Sequence, residues 1–367
     1  MSTVSIPSRL IFPLILIYTT GLLMVFDASS GDIVDHLSNQ SLFRSFFRQL
    51  VWGGIAVGVA VSAYLFGWQR LFRISHWGYY IWILILLLLV FIPGIGLCVN
   101  GASRWVRFGG VIFQPSEFVK ILLPLYGIAT SLSQPAVCYR LSAFFVWLLK
   151  MSVPVFLVLI EPNHGTAFVL MSVIVVVACA VGIPLRFWTG PLLVFLICFG
   201  VIAAKSSYVR HRVSSYFHPE ADILGKGHQS YQAKIAAGSG GLFGKGPAKS
   251  VQKLSYLPEA QNDYIAAIFA EEYGFVGICV LLMVYLWLFH DISSILKHCS
   301  PVPFCFGIAL FFLLAFQTFM NLAVVSGLLP STGLNLPFFS QGGSSLIANS
   351  GGIGFLLSMM KESEKIS

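Results

Sequence analysis

Long apolar runs separated by shorter polar segments form the main pattern of the chain. Each run has about 18–26 residues, which as a helix is enough to cross a hydrocarbon core of about 30 Å. A backbone in lipid must satisfy its own hydrogen bonds, so the runs are predicted to be helices. Ten runs lie at 10–28, 50–67, 76–96, 116–133, 143–160, 165–183, 187–204, 264–289, 302–327 and 342–360. The pattern predicts an all-α polytopic membrane protein, with about ten transmembrane helices in a single domain over residues 1–367.

One polar stretch is too long for an ordinary connection. Residues 205–262 separate the seventh run from the eighth, and loops of more than about 12–15 residues are usually functional or disordered. This stretch is too rich in apolar and aromatic residues for a floppy linker. We expect it to fold back over a cavity that faces the membrane.

The composition supports a chain that faces lipid. Its 367 residues are 57% hydrophobic and only 10% charged, and its mean hydropathy is +0.85. Soluble domains carry about 25% charged residues, so a soluble enzyme, a disordered chain and a coiled coil are excluded. The seven cysteines are scattered without a C-x-x-C pair, which predicts neither a disulfide framework nor a metal site.

The positive charges predict an orientation and a class of ligand. With the N-terminus inside, the short cytoplasmic segments carry eight Lys and Arg and the opposite short loops carry four. The positive-inside rule then predicts that both termini are cytoplasmic and that 205–262 is an extracytoplasmic loop. The net charge of +8 is spread between apolar runs, which favours anionic lipid or a phosphate-bearing substrate over nucleic acid.

Asp263 stands at the boundary where the long loop enters the eighth run. A carboxylate there is a candidate general base that removes a proton from a hydroxyl. The alternative is a helix N-cap, since Asp accepts hydrogen bonds from free N–H groups at a helix start.

Several basic residues on the same predicted side are candidate contacts for a diphosphate. Arg offers paired donors that match phosphate oxygens, and membrane-interface anchoring is the alternative role for Arg104 and Arg107. Lys245 lies in a glycine cluster that lacks the spacing of a P-loop, and a plain flexible turn is its alternative. The candidates are Arg48, Arg104, Arg107 and Lys245.

A second group of polar residues lies within or beside the predicted spans. Glu117 and Lys120 are i, i+3 neighbours on one helix face. With Gln114 and Ser116 they are predicted to form a supporting polar core, and a purely local bridge is the alternative. Glu271 and Glu272 lie about 12–14 Å beyond Asp263 along the helix, and we expect them to share one interhelical cluster with Lys120, because acids at that depth need partners.

A segment rich in proline and glycine, 327–345, breaks helical structure at membrane depth. Non-helical backbone at that depth is tolerated only where it is buried or lines a cavity. The segment is therefore a candidate part of the substrate site, and a re-entrant turn without a catalytic role is the alternative. Ser344 and Ser345 at its end are predicted to contact substrate.

These segments, taken in order, resemble the shape, elongation, division and sporulation (SEDS) family of polytopic membrane proteins. The matching stretches are 100–120, 231–277 and 321–354, with weaker matches at 46–52 and 161–167. Within the family the chain is more similar to FtsW-like than to RodA-like members. The residues that favour this are 99–102, 250–254, 258–260 and 325–330.

The resemblance implies a peptidoglycan glycosyltransferase that polymerises lipid II on the outer face of a bacterial cytoplasmic membrane. It implies a class B penicillin-binding protein as partner, together with divisome or elongasome membrane proteins. It also implies that Asp263 matches the family's essential acid and that Glu259 contacts substrate. Inversion at the sugar C1 needs one base and a stabilised leaving diphosphate. A divalent cation is one way to share the stabilisation of the leaving group, and the sequence assigns no cofactor with certainty.

The chain departs from the family pattern around two of these segments. Gln261, Asn262 and Tyr264 stand where the family usually has His, Thr and Phe, and Glu161 begins a segment where Gln is usual. A RodA-like elongation polymerase, a flippase for lipid-linked sugars and a non-catalytic scaffold remain alternatives. No internal repeat of the kind that transporters show is visible by eye.

Overall fold

Helices account for most of the chain in the computed structural model. The described residues are 6–35, 43–68, 70, 76–99, 102–205, 216, 228–254, 257 and 260–366. Among them are a 3₁₀-helix (Leu89–Phe91) and twelve α-helices: α1 (Ile6–Asp35), α2 (Arg44–Phe66), α3 (His76–Leu88), α4 (Pro115–Ser133), α5 (Ala136–Tyr139), α6 (Leu141–Ile160), α7 (His164–Val181), α8 (Leu185–Lys205), α9 (His228–Ser239), α10 (Ile265–Leu296), α11 (Pro301–Val325) and α12 (Gly343–Ile366).

Each of the ten predicted spans coincides with one of these helices, and only the short α5 and α9 fall outside them. Among the described residues, six of the ten helices are long and apolar enough to cross a membrane by length and composition. The all-α polytopic class is therefore confirmed. The two predicted elements around Glu161 are separate helices, because α6 ends at Ile160 and α7 begins at His164.

A small antiparallel sheet precedes α4 and was not predicted. Its strands are β1 (Gly96–Val99), β2 (Ala102–Phe108) and β3 (Val111–Phe113), and Val106 in the central strand lies opposite both Gly96 and Phe113. The β2–β3 turn is Gly109-Gly110, with φ of 54° and 87°. Positive φ at both turn residues is typical of a tight hairpin.

The described fold divides into two compact units, each assembled from three stretches of chain. The first unit comprises Met1–Gly53, Ile197–Asp291 and Ala315–Gly342. The second comprises Gly54–Leu196, Ile292–Leu314 and Gly343–Ser367. Asp263 and Lys245 belong to the first unit, and the sheet belongs to the second.

Helix α10 of the first unit is interrupted at Gly274. This residue has φ 68° and ψ −166°, a conformation that is essentially confined to glycine. The interruption frees backbone N–H groups, which donate instead to the loop that follows α9. Phe275 donates to the carbonyl of Gly241 at 2.9 Å, and Val276 donates to the carbonyl of Leu242 at 3.0 Å.

The same loop returns hydrogen bonds to the carbonyls that precede the interruption. The Lys245 N–H donates to the carbonyl of Glu271 at 2.9 Å, and the Gly246 N–H donates to that of Glu272 at 3.0 Å. Loop 240–246 therefore supplies N–H donors to the carbonyls before the break and carbonyl acceptors to the N–H groups after it, as buried backbone requires.

Glu161 lies in the turn between α6 and α7 and is fully buried. Among the described residues, neither of its carboxylate oxygens has a hydrogen-bond partner. Burial raises the pKa of the carboxyl to about 8, although the Arg104 guanidinium acts in the opposite direction. Glu161 is therefore mainly protonated at pH 7.

Gly244→Ala is expected to destabilise the chain more than Gly241→Ala. Both glycines have positive φ, 79° and 56°, so alanine carries a similar backbone cost of roughly 1–2 kcal/mol at each. A Cβ on Gly244 would lie 2.1 Å from the Glu272 carbonyl oxygen, whereas one on Gly241 meets no described atom within 4 Å. Thermal unfolding of the detergent-purified variants measures the difference, and equal losses would show that the loop does not pack as described.

Glu161→Gln is expected to stabilise the chain in a pH-dependent way. The folded-state pKa lies above the unfolded value of about 4.3, so stability falls as pH rises from there to about 8. Glutamine has no such loss, and its stability advantage over glutamate is about 4 kcal/mol at pH 7. Melting temperatures of both proteins between pH 5 and 9 test this, and a pH-independent difference would contradict it.

Candidate functional site

Asp263 lies half-buried in the turn that leads into α10. One residue, Tyr264, separates it from the first helical residue. Its backbone carbonyl accepts a hydrogen bond from Asn321 Nδ2 at 2.8 Å, and the same amide donates to the carbonyl of Leu334 at 2.8 Å. Asn321, a buried residue of α11, thereby ties the Asp263 segment to the irregular segment that contains Leu334.

Gln341 holds the same segment two residues earlier. Its backbone N–H donates to the carbonyl of Gln261 at 3.0 Å. With its amide oriented so that the oxygen faces the Arg48 guanidinium, its side-chain Nε2 donates to Gln261 Oε1 at 3.0 Å, and its Oε1 accepts from Arg48 Nη2 at 2.7 Å and from Arg48 Nε at 3.3 Å. The structure therefore connects Arg48 to the Asp263 segment through one amide.

Lys245 is paired with an acid of α10. Its Nζ lies 2.5 Å from Glu271 Oε1, and its side chain is 35% exposed while that of Glu271 is fully buried. The Glu271 carboxylate also accepts from the Ser250 hydroxyl and from the N–H groups of Val251 and Gln252. An anion at Lys245 would have to share its ammonium with this carboxylate.

Glu272 holds the next part of the loop through a second lysine. It accepts from Lys253 Nζ at 2.9 Å and from the N–H groups of Ala248 and Ser250 at 3.0 and 3.1 Å. Lys253 also pairs with Asp27 of α1 at 2.6 Å. We name Asp27, Lys245, Lys253, Glu271 and Glu272 the acid–lysine clamp.

The clamp corrects one expectation about the buried acids. Lys120 was expected to be the cation for Glu271 and Glu272, and that prediction is wrong, because Lys245 and Lys253 fill the role. Lys120 instead pairs with Glu117 at 2.7 Å within the first turns of α4, where both side chains are buried. The predicted i, i+3 pair is present.

The second unit brings together most of the remaining polar candidates around the start of α4. The Gln114 N–H donates to Ser344 Oγ at 2.9 Å, and Gln114 Nε2 donates to Ser116 Oγ at 3.1 Å. Asn163 Nδ2 also reaches Ser116 Oγ, at 3.4 Å. Ser345 points elsewhere along its own helix, where it accepts from Asn349 at 3.3 Å.

The remaining predicted residues have different surroundings. Arg104, half-buried on β2, donates through Nη2 to the carbonyl of Pro162, while Arg107 is exposed. Glu259 lies outside the described residues. The roles predicted for all these side chains stay predictions.

Three amide side chains that organise these groups were missed by sequence reasoning: Asn163, Asn321 and Gln341. An isolated amide in an apolar or proline-rich stretch carries no local pattern of its own. The only available signal was their position inside the stretches that carry the family resemblance, 161–167 and 321–354.

The described residues contain no group of three or more His, Cys, Asp or Glu side chains that is arranged to hold a metal ion. The structure therefore assigns no residue to a divalent cation. That alternative stays a prediction.

Comparison with known proteins places the chain in a family. Residues 8–365 match the family model of cell cycle proteins that groups FtsW, RodA and SpoVE. A relative from Geobacter sp. (strain M18), named probable peptidoglycan glycosyltransferase FtsW, is 36% identical over 355 residues, covering 92% of each chain. A relative of the same name from Halorhodospira halophila is 34% identical over 362 residues, covering 96% of this chain and 90% of its own.

Solved structures show the same likeness. A chain from a peptidoglycan synthase complex, described as coordinating polymerization and crosslinking, aligns with a TM-score of 0.77 at 28% identity, covering 96% of this chain and 97% of its own. The rod shape determining protein RodA of Thermus thermophilus aligns with a TM-score of 0.67 at 27% identity, covering 96% of both chains. The chain is thus a multi-pass membrane protein and belongs to the FtsW/RodA/SpoVE family of cell cycle proteins.

Proposed function

We propose that this chain is a peptidoglycan glycosyltransferase that polymerises lipid II into β-1,4-linked glycan strands. The names of its relatives support this activity, and the FtsW name they share favours a role in cell division. The reaction takes place at the outer face of the cytoplasmic membrane, with both termini in the cytoplasm.

Asp263 is the general base in this proposal. Its carboxylate removes the proton from the 4-hydroxyl of the acceptor sugar as that oxygen attacks C1 of the donor. The bond from C1 to the diphosphate breaks in the same step, so the configuration at C1 inverts and no second carboxylate is needed as a nucleophile.

The observation that carries the proposal is the way the Asp263 backbone is held. Asn321 fixes the Asp263 carbonyl, and Gln341 fixes Gln261 through two hydrogen bonds. A base works only within hydrogen-bond reach of the proton it removes, and a backbone held at Gln261 and at Asp263 fixes the point from which the Asp263 side chain extends.

The departing diphosphate needs positive charge in a fixed position. Arg48, Arg104 and Arg107 are its proposed contacts, and Ser344, Ser345 and Glu259 are proposed substrate contacts. Lys245 can contribute only while it also neutralises Glu271. Gln114, Ser116, Glu117 and Lys120 are proposed to support the cavity.

The proposed partner is a class B penicillin-binding protein that cross-links the new strands. The likeness to a chain from a peptidoglycan synthase complex supports this. A partner of that kind would join the glycan made here to the existing wall.

Asp263→Asn is expected to lower the rate of lipid II polymerisation by at least about 100-fold, because general-base catalysis contributes factors of that order. The amide keeps the shape of the side chain and cannot accept the proton. Glycan products from purified lipid II, with the chain and its partner in detergent, provide the measurement.

The matched control is Asp291→Asn, which removes a buried acid near the other end of α10 and should polymerise at the wild-type rate. An Asp263→Asn enzyme with normal activity would remove Asp263 as the base. If the wild type moves labelled lipid II across liposomes and makes no polymer, the flippase alternative replaces the proposed function.

A further inference from the structure

Gln341 lies where three parts of the first unit meet: the start of α2, the turn before α10 and the proline-rich segment. It is 6% exposed. The start of α2 is also attached to this segment by Gln49, whose Nε2 donates to the Ser340 carbonyl at 3.4 Å. Tyr18 of α1 in turn donates to the Gln49 carbonyl at 2.9 Å, so the backbone beside Arg48 is fixed.

The neighbours of the Gln341 amide determine which way it points. A guanidinium has donors and no acceptor, so the atom facing Arg48 must be Oε1. The NH₂ group then faces Gln261 Oε1, which is an acceptor. Both ends of the amide are satisfied only in this arrangement, and a reversed amide would set donors against Arg48.

The contact also sets the orientation of Arg48. Its Nε and Nη2 both donate to one oxygen atom, which fixes the plane of the guanidinium and leaves the N–H groups of Nη1 for another acceptor. The Arg48 side chain is exposed. Among the described residues it forms no ion pair with a carboxylate, so its positive charge is not neutralised there.

We propose that Gln341 is a positioning residue that fixes Arg48, relative to the Asp263 segment, as a subsite for the diphosphate of the donor. This rests on the proposed function. Gln341 acts through Arg48 and does not touch substrate. An amide suits this role because it orients the guanidinium without cancelling its charge, whereas a carboxylate at the same place would compete with the diphosphate.

A double-mutant cycle on Gln341 and Arg48 tests the proposal. Gln341→Met keeps the length of the side chain and removes both its donor and its acceptor. Because hydrogen bonds to charged groups are strong, Gln341→Met should weaken the binding of inorganic pyrophosphate to the detergent-purified full chain by about tenfold. The KM for lipid II should rise by a similar factor, with kcat changed less than about threefold. In an Arg48→Ala background, Gln341→Met should have no further effect.

Gln317→Met is the matched control, because Gln317 is also a buried glutamine of the first unit and its Nε2 has no hydrogen-bond partner among the described residues. It should leave pyrophosphate binding and KM unchanged. The proposal is overturned if Gln341→Met binds pyrophosphate as tightly as the wild type does. It is also overturned if the losses in affinity of the two single mutants multiply in the double mutant. A wild type that binds no pyrophosphate overturns it as well.

Two further measurements distinguish a loss of folding stability from a failure of the proposal, and a failure of the proposal from a failure of the proposed function. If the melting temperature of Gln341→Met lies well below that of Gln317→Met, Gln261→Met tests the same contact, because Gln261 is only half-buried. A threefold or larger weakening of pyrophosphate binding by Gln261→Met supports the proposal, and unchanged binding overturns it. If the wild type binds pyrophosphate with the expected cycle but makes no glycan, the proposed function fails while the coupling of Gln341 to Arg48 stands.

Discussion

Where a helix is interrupted inside the protein, the backbone N–H and C=O groups at the interruption need new hydrogen-bond partners. The contacts that supply these partners hold the first unit together. At Gly274 the partners come from loop 240–246, which both donates and accepts. The loop can stay in that position because the acid–lysine clamp holds the residues that follow it. Backbone and side-chain contacts therefore act on the same piece of chain, and the turn that carries Asp263 begins directly before the helical segment they hold.

The two kinds of polar side chain in this unit have different tasks. The charged residues of the clamp, three carboxylates and two ammonium groups, pair with one another in mostly buried surroundings, where an unpaired charge would be costly. Around Asp263 the holding groups are instead the neutral amides of Asn321 and Gln341. Amides fix geometry without adding charge of their own, so they leave the charges of Asp263 and Arg48 unchanged.

The sequence pattern was sufficient for the helices and insufficient for the contacts between them. Apolar run length located all ten long helices, since that signal is local and strong. The sheet was missed because β1 adjoins an apolar run, although Gly109-Gly110 between two short apolar stretches is a recognisable hairpin signal. Glu117 and Lys120 could be paired because both lie on one helix. The lysines that neutralise Glu271 and Glu272 could not be identified, because loop and helix meet only in the folded chain.

The interruption at Gly274 also divides α10 into two segments that differ in length and in burial. As a continuous helix its 32 residues would be about 48 Å long, far more than a hydrocarbon core of about 30 Å. After the break, about 22 residues remain, which extend roughly 33 Å. Burial changes at the same point: Ile265 to Ile268 are fully buried, whereas Phe275 is 63% exposed and is followed by the exposed apolar Met283 and Leu286. The segment after Gly274 thus matches the thickness of a bilayer core in length, and Glu271, Glu272 and Asp263 all lie on the N-terminal side of that glycine.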